Sequence, residues 1–129
     1  ANIVCTTDRR EALKDADFII LIFYIGGTRA YAHDIEIPLK YGVKQCIGDS
    51  MGPGGMFSLF REVPIMLEIG KEVEELCPNA YVLNYVNPMG AMCTALNRGT
   101  NLKVVGLCHG VQTTMDLIAA YTGVAKLTM

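Results

Sequence analysis

The feature that most constrains the fold is a continuous apolar run at residues 18–25, which reads FIILIFYI. The run is far shorter than the ~20 apolar residues that a helix needs to cross a membrane. We therefore interpret it as a β-strand. Because no polar residue alternates with the apolar ones, we expect both faces of this strand to be covered, as in a parallel sheet.

Short apolar runs alternate with helical patterns along the rest of the chain. This alternation is typical of parallel strands joined by right-handed crossovers, so the predicted class is α/β. We expect Pro64 to kink or split the longest helix. The other predicted strands are residues 2–6, 80–86 and 104–107, and the predicted helices are residues 9–14, the first half of 28–45, 56–76, 89–98 and 111–121.

The composition excludes several classes of function. The chain has 129 residues, of which 51% are hydrophobic, enough for the core of one domain or part of one. A net charge of -2 without a cluster of Lys and Arg argues against a nucleic-acid partner. No membrane span or signal peptide is recognisable. The 5 cysteines lack CxxC spacing and indicate reduced thiols of a cytoplasmic protein.

Residues that suit ligand binding or catalysis follow three of the predicted strands. Gly26 and Gly27 permit a sharp turn or the close approach of a ligand. Asn87 follows a later strand, and Cys108 with His109 follows the last one. Ligands of open parallel sheets bind beyond the carboxyl ends of the strands. Since thiolate and imidazole both suit a borderline transition metal, this edge is the predicted site.

One motif of dinucleotide-binding folds is missing from the chain. Such folds open with a strand and a GxGxxG loop that seats the pyrophosphate. Residues 52–55 read GPGG instead, and they precede a predicted helix without following a strand. The chain also begins one residue before a predicted strand. We therefore expect it to lack an amino-terminal segment.

Three stretches together resemble glycoside hydrolase family 4. They are IGG at residues 25–27, GPGG at residues 52–55, and NYVNP at residues 84–88 followed by GLCH at residues 106–109. The resemblance covers nearly the whole chain and is greatest to the α-galactosidase and α-galacturonidase branches. It implies a partial Rossmann-like fold, similar to that of lactate and malate dehydrogenases, with NAD and manganese as cofactors.

The resemblance implies hydrolysis of an α-galactoside or α-galacturonide by a redox route. The sugar is oxidised at C3 with NAD, loses its C2 proton beside the metal, eliminates the glycosidic oxygen, adds water and is reduced again. By this reading, residues 1–129 are an incomplete NAD-binding domain without its glycine-loop strand or a carboxy-terminal catalytic domain. The full enzyme would be a cytoplasmic homo-oligomer, and this chain alone would be inactive.

The resemblance also implies roles for individual residues. Cys108 would bind the metal as a thiolate. Asn87 would hydrogen-bond the sugar hydroxyls, and Asp49 would support the base from its loop. His109 would be the acid that assists the leaving group. The residues that would line the cofactor are Gly26, Gly27, Asn84 and Thr7.

Other features of the family are missing. Its second metal ligand, a histidine, and its tyrosine base would lie beyond Met129. Some members carry a substrate-binding arginine in the segment around Tyr31, where this chain has tyrosine. Arg29 is nearby but does not align with that arginine. This departure disfavours phosphorylated sugars as substrates.

Plainer interpretations of the same residues stay open. Cys108 could be a buried core thiol, and His109 an exposed residue at the start of a helix. Asn87 and Asp49 could each serve only in a turn. The remaining residues of note are interpreted as follows: His33 and Asp34 as a solvated helix face, the other cysteines as structural, and Met56, Met66, Met89 and Met92 as core.

Two other functions compete with the glycosidase. A dehydrogenase of the lactate or malate type would share the strands and turns, but no Asp-x-x-Arg signature supports its carboxylate-binding arginine. The second competing possibility is a truncated domain without activity, which would cover its open sheet edge by self-association.

Overall fold

The computed structural model describes residues 2–124, which form a three-stranded parallel sheet with flanking helices. The three strands are parallel and pair in chain order, so the predicted α/β class and parallel sheet are confirmed. None of the helices in this range is long and apolar enough to span a bilayer. The elements are α1 (Arg9–Leu13), β1 (Phe18–Leu21), α2 (Gly27–Lys40), α3 (Gly52–Leu76), β2 (Tyr81–Asn84), α4 (Met89–Gly99), β3 (Lys103–Gly106) and α5 (Gly110–Thr122).

The strand predicted at residues 2–6 is wrong. These residues are exposed and pair with no other strand of the described chain. A single extended segment gains no ladder of hydrogen bonds, so apolar composition alone does not make it a strand. Regular structure begins at α1, where the Asp8 carboxylate caps the helix by accepting from the amides of Arg10 at 2.9 Å and Glu11 at 3.3 Å.

The sheet buries one face and exposes the other. Ile19 and Val82 lie at 7% and 1% exposure on the buried face. On the opposite face, Phe18 is 68% exposed and its ring stacks on Tyr81 with centroids 5.8 Å apart. Ile20 on that face is 59% exposed. The expectation that both faces are covered is therefore wrong for residues 2–124, which leave the face of Phe18 and Ile20 exposed.

Helix α3 is continuous from Gly52 to Leu76, so Pro64 does not split it, and the alternative of a kink at Pro64 stays a prediction. Pro64 has no N–H, so the Phe60 carbonyl lacks the hydrogen bond that residue 64 would donate in a regular helix. Both Phe60 and Pro64 are exposed. Water can therefore solvate that carbonyl, which makes the proline tolerable. In the first half of α3, Met56 and Phe60 are exposed while Ser58 is buried.

The core lies between α3, α4 and the buried face of the sheet. Met66 and Val73 of α3 meet Met92 and Leu96 of α4, and all four are completely buried. Met66 and Met92 thus confirm the core assignment of those methionines, whereas Met56 contradicts it.

The acidic residues of α3 do more than solvate its surface. Glu72 accepts two hydrogen bonds from the Arg9 guanidinium, from Nε at 2.6 Å and from Nη2 at 2.7 Å. Glu75 binds Arg10 in the same manner. Side chains of α3 therefore hold α1, which buries only Leu13.

Candidate functional site

The carboxyl ends of the three strands lie at one edge of the sheet. Leu21 pairs with Asn84, and Asn84 pairs with Gly106. The segments that follow these residues carry Gly26 and Asn87, and then Cys108 and His109. The structure therefore brings the predicted strand-end residues to a common edge, where ligands of parallel α/β folds bind.

The turn after β1 is formed by two glycines with left-handed backbone conformations. Gly26 has φ 86° and Gly27 has φ 56°, and both are exposed. A Cβ at Gly26 would lie 2.6 Å from the Cβ of Ala30, whereas one at Gly27 would meet nothing within 4 Å. Gly26 is therefore required by the turn itself. Gly27 leaves an open backbone surface at the amino end of α2, which suits the approach of a phosphate-bearing cofactor.

Asn84 is placed differently from its predicted role. Its side chain is completely buried, and its Nδ2 donates to the Val86 carbonyl at 3.1 Å while its Oδ1 accepts from the Val86 amide at 3.0 Å. The side chain thus closes the turn after β2 and has no surface left for a cofactor. Contact between the Asn84 strand end and the cofactor therefore stays a prediction, in which the side chain serves the turn. The sequence showed a polar residue at a strand end but not the direction in which it points.

Asp49 and Asn87 come together from different loops. The amide Nδ2 of Asn87 donates to Asp49 Oδ2 at 3.4 Å, and the Ser50 hydroxyl donates to Asp49 Oδ1 at 3.0 Å. Both Asp49 and Asn87 are half-buried, and the peptide bond from Asn87 to Pro88 is cis. The pair presents a carboxylate and an amide at the mouth of the sheet edge, which is a suitable arrangement for sugar hydroxyls.

Cys108 and His109 lie exposed between β3 and α5. They line a depression of about 410 Å³ together with Tyr85, Gln112 and Thr113. Exposure contradicts the interpretation of Cys108 as a core thiol. Within residues 2–124, no group of three His, Cys, Asp or Glu side chains converges to hold a metal ion. The thiol and imidazole fit a metal as donors, but this stretch would supply only part of its coordination shell.

Thr7 is exposed at the entry to α1, directly before the capping Asp8. Its contact with a cofactor stays a prediction. No hydrogen bond between described residues joins the Asp49–Asn87 pair to Cys108 or His109.

A buried polar network behind the glycine turn was missed by the sequence reasoning. Asp34 is 4% exposed, and its carboxylate accepts from the Tyr24 hydroxyl at 2.7 Å and from Arg61 Nη1 at 3.0 Å. The interpretation of Asp34 as part of a solvated face is therefore wrong, while His33 is exposed as expected. Burial, followed by the hydrogen bond to Asp34, raises the pKa of Tyr24 to about 12. The hydrogen bond to Asp34 raises the pKa of Arg61.

Glu62 is the second buried acid of this network and is completely inaccessible. Its Oε1 accepts from the Ile25 amide and from the Ser58 hydroxyl, both at 3.4 Å. Burial raises the pKa of Glu62, and the nearby charge of Asp49 adds to that effect. The sequence did contain a signal, because Ser58, Glu62 and Met66 recur at four-residue spacing on one helix face.

A family model described as Family 4 glycosyl hydrolase matches residues 1–124. The chain is 54% identical over 110 residues to a Bacillus subtilis (strain 168) protein named "Probable 6-phospho-beta-glucosidase", covering 84% of this chain and 24% of that protein. It is 44% identical over 115 residues to an alpha-galactosidase of the same strain, covering 88% of this chain and 27% of that protein. The chain therefore spans about a quarter of the length of these curated relatives.

Solved structures show the same relationship. A 6-phospho-alpha-glucosidase from gut microorganisms, in complex with NAD and Mn²⁺, matches with a TM-score of 0.78 at 32% identity, over 93% of this chain and 28% of that chain. A lactate dehydrogenase from Eimeria maxima, at 22% identity and a TM-score of 0.54, shares the fold alone.

Proposed function

The chain belongs to family 4 of the glycosyl hydrolases, and from that premise we propose that it is part of the NAD-binding domain of an NAD- and manganese-dependent α-glycosidase. The observation that carries the proposal is the shared sheet edge, where Asn87 and the exposed Cys108–His109 pair follow neighbouring strands and Asp49 contacts Asn87 from a separate loop. The NAD and Mn²⁺ bound by the 6-phospho-alpha-glucosidase support both cofactors. Cytoplasmic location and a homo-oligomeric full enzyme belong to the same proposal.

Asn87 would orient the sugar. Its Nδ2 donates to Asp49, which leaves its Oδ1 as an acceptor for a sugar hydroxyl. Ser50 holds the other oxygen of the Asp49 carboxylate, so that the carboxylate has a fixed orientation. A fixed, half-buried carboxylate is suited to support a neighbouring base, which is the role we propose for Asp49.

Cys108 would hold the metal, and Gly26 and Gly27 would receive the cofactor along their exposed backbone. When bound, manganese and NAD would supply polarisation of the sugar hydroxyls and a reversible acceptor for hydride. His109 is next to the proposed ligand and exposed to the same depression, so its imidazole would be the acid that assists the departing glycosidic oxygen.

The substrate is proposed as an α-galactoside or α-galacturonide. The alpha-galactosidase relative supports this choice, as does Tyr31, which stands where some members carry a substrate-binding arginine. The Tyr31 hydroxyl accepts from the Gly48 amide at 3.5 Å and so helps to position the loop of Asp49. The 54% identity to the protein named as a 6-phospho-beta-glucosidase favours phosphorylated glucosides as the second class to be tested.

The test uses a full-length enzyme that contains this segment, assayed with nitrophenyl α-galactoside, α-galacturonide and 6-phosphoglucosides in the presence of NAD and manganese. We expect turnover of an α-galactoside or α-galacturonide that requires both cofactors and leaves no net NADH. Accumulation of NADH with a hydroxy acid would favour the dehydrogenase instead, because a glycosidase returns its hydride.

Cys108→Ser should weaken manganese binding at least ~tenfold. Mutation of a residue that only orients a metal ligand typically lowers metal affinity by that factor, and loss of the ligand itself should lower it at least as much. Cys5→Ser removes another exposed thiol and is the matched control. Unchanged manganese affinity in the Cys108 variant would refute the ligand assignment.

The isolated 129-residue chain should have no hydrolase activity, since one protein ligand and no tyrosine base are assigned within it. Turnover of nitrophenyl α-galactoside by the purified chain, with NAD and manganese, would contradict this expectation.

A further inference from the structure

Glu62 connects helix α3 to the segment that enters the glycine turn. Its Oε1 accepts a hydrogen bond from the backbone amide of Ile25, the residue directly before Gly26. The carboxylate is completely buried, and Ser58, one turn earlier on α3, donates to the same oxygen. A carboxylate on α3, the longest helix of the described chain, therefore fixes the position of the Ile25 backbone relative to that helix.

The segment is held twice, by consecutive residues of α3. The Tyr24 hydroxyl accepts from Arg61 Nη2 at 3.2 Å, while the Ile25 amide binds Glu62. Gly26 and Gly27 have no side chains, and their backbone hydrogen bonds join only the turn and the start of α2: the Gly27 amide donates to the Tyr24 carbonyl and the Gly26 carbonyl accepts from the Ala30 amide, both at 3.3 Å. Their position depends on what holds Tyr24 and Ile25.

Glu62 is a costly residue to keep for packing alone. Its Oε2 has no hydrogen-bond partner among the described residues, and a buried acceptor without a partner destabilises the folded state. Methionine or leucine would fill the same volume without that cost. An apolar side chain could not accept the hydrogen bonds from the Ile25 amide and the Ser58 hydroxyl, and of these two only the first joins α3 to the segment before the glycine turn.

We propose that Glu62 is a positioning residue, which fixes the Ile25–Gly26–Gly27 turn against α3 and so preorganises the backbone that receives the dinucleotide. The inference rests on the proposed function for its ligand, but the fixing of the turn is independent of it. Preorganised backbone lowers the ordering cost of binding, so its loss appears as weaker cofactor affinity.

Two variants of equal length separate hydrogen bonding from packing. Glu62→Met keeps the volume and removes the acceptor, whereas Glu62→Gln keeps an acceptor oxygen. Glu36→Gln, at an exposed carboxylate of α2, is the surface control. In the full-length enzyme, amide hydrogen exchange should accelerate about tenfold at residues 22–30 in Glu62→Met and less than about twofold in Glu62→Gln.

Exchange in β2 (Tyr81–Asn84) should stay unchanged in both variants. Unchanged exchange at residues 22–30 in Glu62→Met would overturn the proposal, and equal acceleration in β2 would overturn it in favour of a general loss of stability.

Cofactor binding provides the second measurement. Glu62→Met should raise the Kd for NAD at least about fivefold, with the Kd for manganese unchanged and Glu62→Gln close to wild type. An unchanged NAD affinity with accelerated exchange would overturn the link to the cofactor. If the wild-type enzyme does not bind NAD, the proposed function fails, while hydrogen exchange still decides whether Glu62 fixes the turn.

Discussion

Asp34→Asn tests whether the buried network behind the glycine turn is built around an ion pair. The carboxylate of Asp34 accepts from the Tyr24 hydroxyl at 2.7 Å, from Arg61 Nη1 at 3.0 Å and from Arg61 Nη2. Asparagine keeps the shape and one acceptor oxygen, but it turns an amide toward the guanidinium. The substitution thus removes the charge that pairs with Arg61 while changing the volume very little.

The expected cost follows from the burial of the two partners. Removing one partner of a buried pair typically costs ~3–5 kcal/mol, because the other charge is left without compensation. Asp34 is 4% exposed, but the Arg61 side chain is 28% exposed, so water restores part of its solvation. We therefore expect the lower end, about 3 kcal/mol in the free energy of unfolding.

Urea unfolding followed by circular dichroism measures this loss. With a slope of about 2 kcal/mol per molar urea, the midpoint should fall by roughly 1.5 M. Glu75→Gln breaks the exposed pair with Arg10 and is the matched control, for which we expect no measurable shift.

The double variant Asp34→Asn/Arg61→Met is the decisive measurement. If an uncompensated guanidinium causes the loss, removing Arg61 as well should recover part of the stability. If the two substitutions instead lower the free energy of unfolding additively, so that the double variant is less stable than Asp34→Asn, the ion-pair explanation is refuted.

Two further predictions concern neighbouring residues. Burial raises the pKa of Glu62, so its contribution to stability is fully present below the unfolded pKa and is lost as pH rises through the raised, folded pKa. Glu62→Gln should therefore gain stability relative to wild type as pH rises above about 4.3, the ordinary pKa of a glutamate, and a pH-independent difference in urea midpoints would contradict this. Gly54→Ala should cost about 3 kcal/mol in urea unfolding, because its Cβ would collide with the backbone carbonyl oxygens of Asp34 and Gly48. Gly90→Ala, whose Cβ meets nothing within 4 Å, should instead gain about 0.5–1 kcal/mol, and equal effects at the two glycines would argue against the collision.

The sequence allowed the sheet edge to be predicted because parallel strands place their carboxyl ends together. Asn87 and Cys108 each follow an apolar run, so the pattern alone was enough to bring their segments to one edge. A site role for Asp49 came from the family resemblance alone, since its loop follows no strand, and its contact with Asn87 was not predicted. Asn84 shows the limit of this reasoning, because period and position do not tell whether a side chain at a strand end points outward or back into its own turn.

The buried network was not predictable from local pattern. Asp34 lies between His33 and Ile35 in a mixed helix, and its partner Arg61 lies on a different helix. A charged side chain is buried when tertiary packing places an oppositely charged partner beside it. The hydrophobic pattern of one helix contains no information about such a partner on another helix. The exposed face of Phe18 and Ile20 has the same origin, since an apolar run shows that a face needs covering but not which segment covers it.

The register of the sheet also bears on the order in which the chain folds. Tyr81 pairs with Lys103 across one crossover helix, whereas Phe18 pairs with Tyr81 across α2 and α3, a loop roughly three times as long. Short loops lose less chain entropy on closing, so contacts between near neighbours form sooner. We expect β2, α4 and β3 to assemble first as a local unit, and β1 to add to it afterwards. The glycine turn is therefore among the last parts of the sheet edge to reach its place, and the buried contacts from α3 that hold it form late on the pathway.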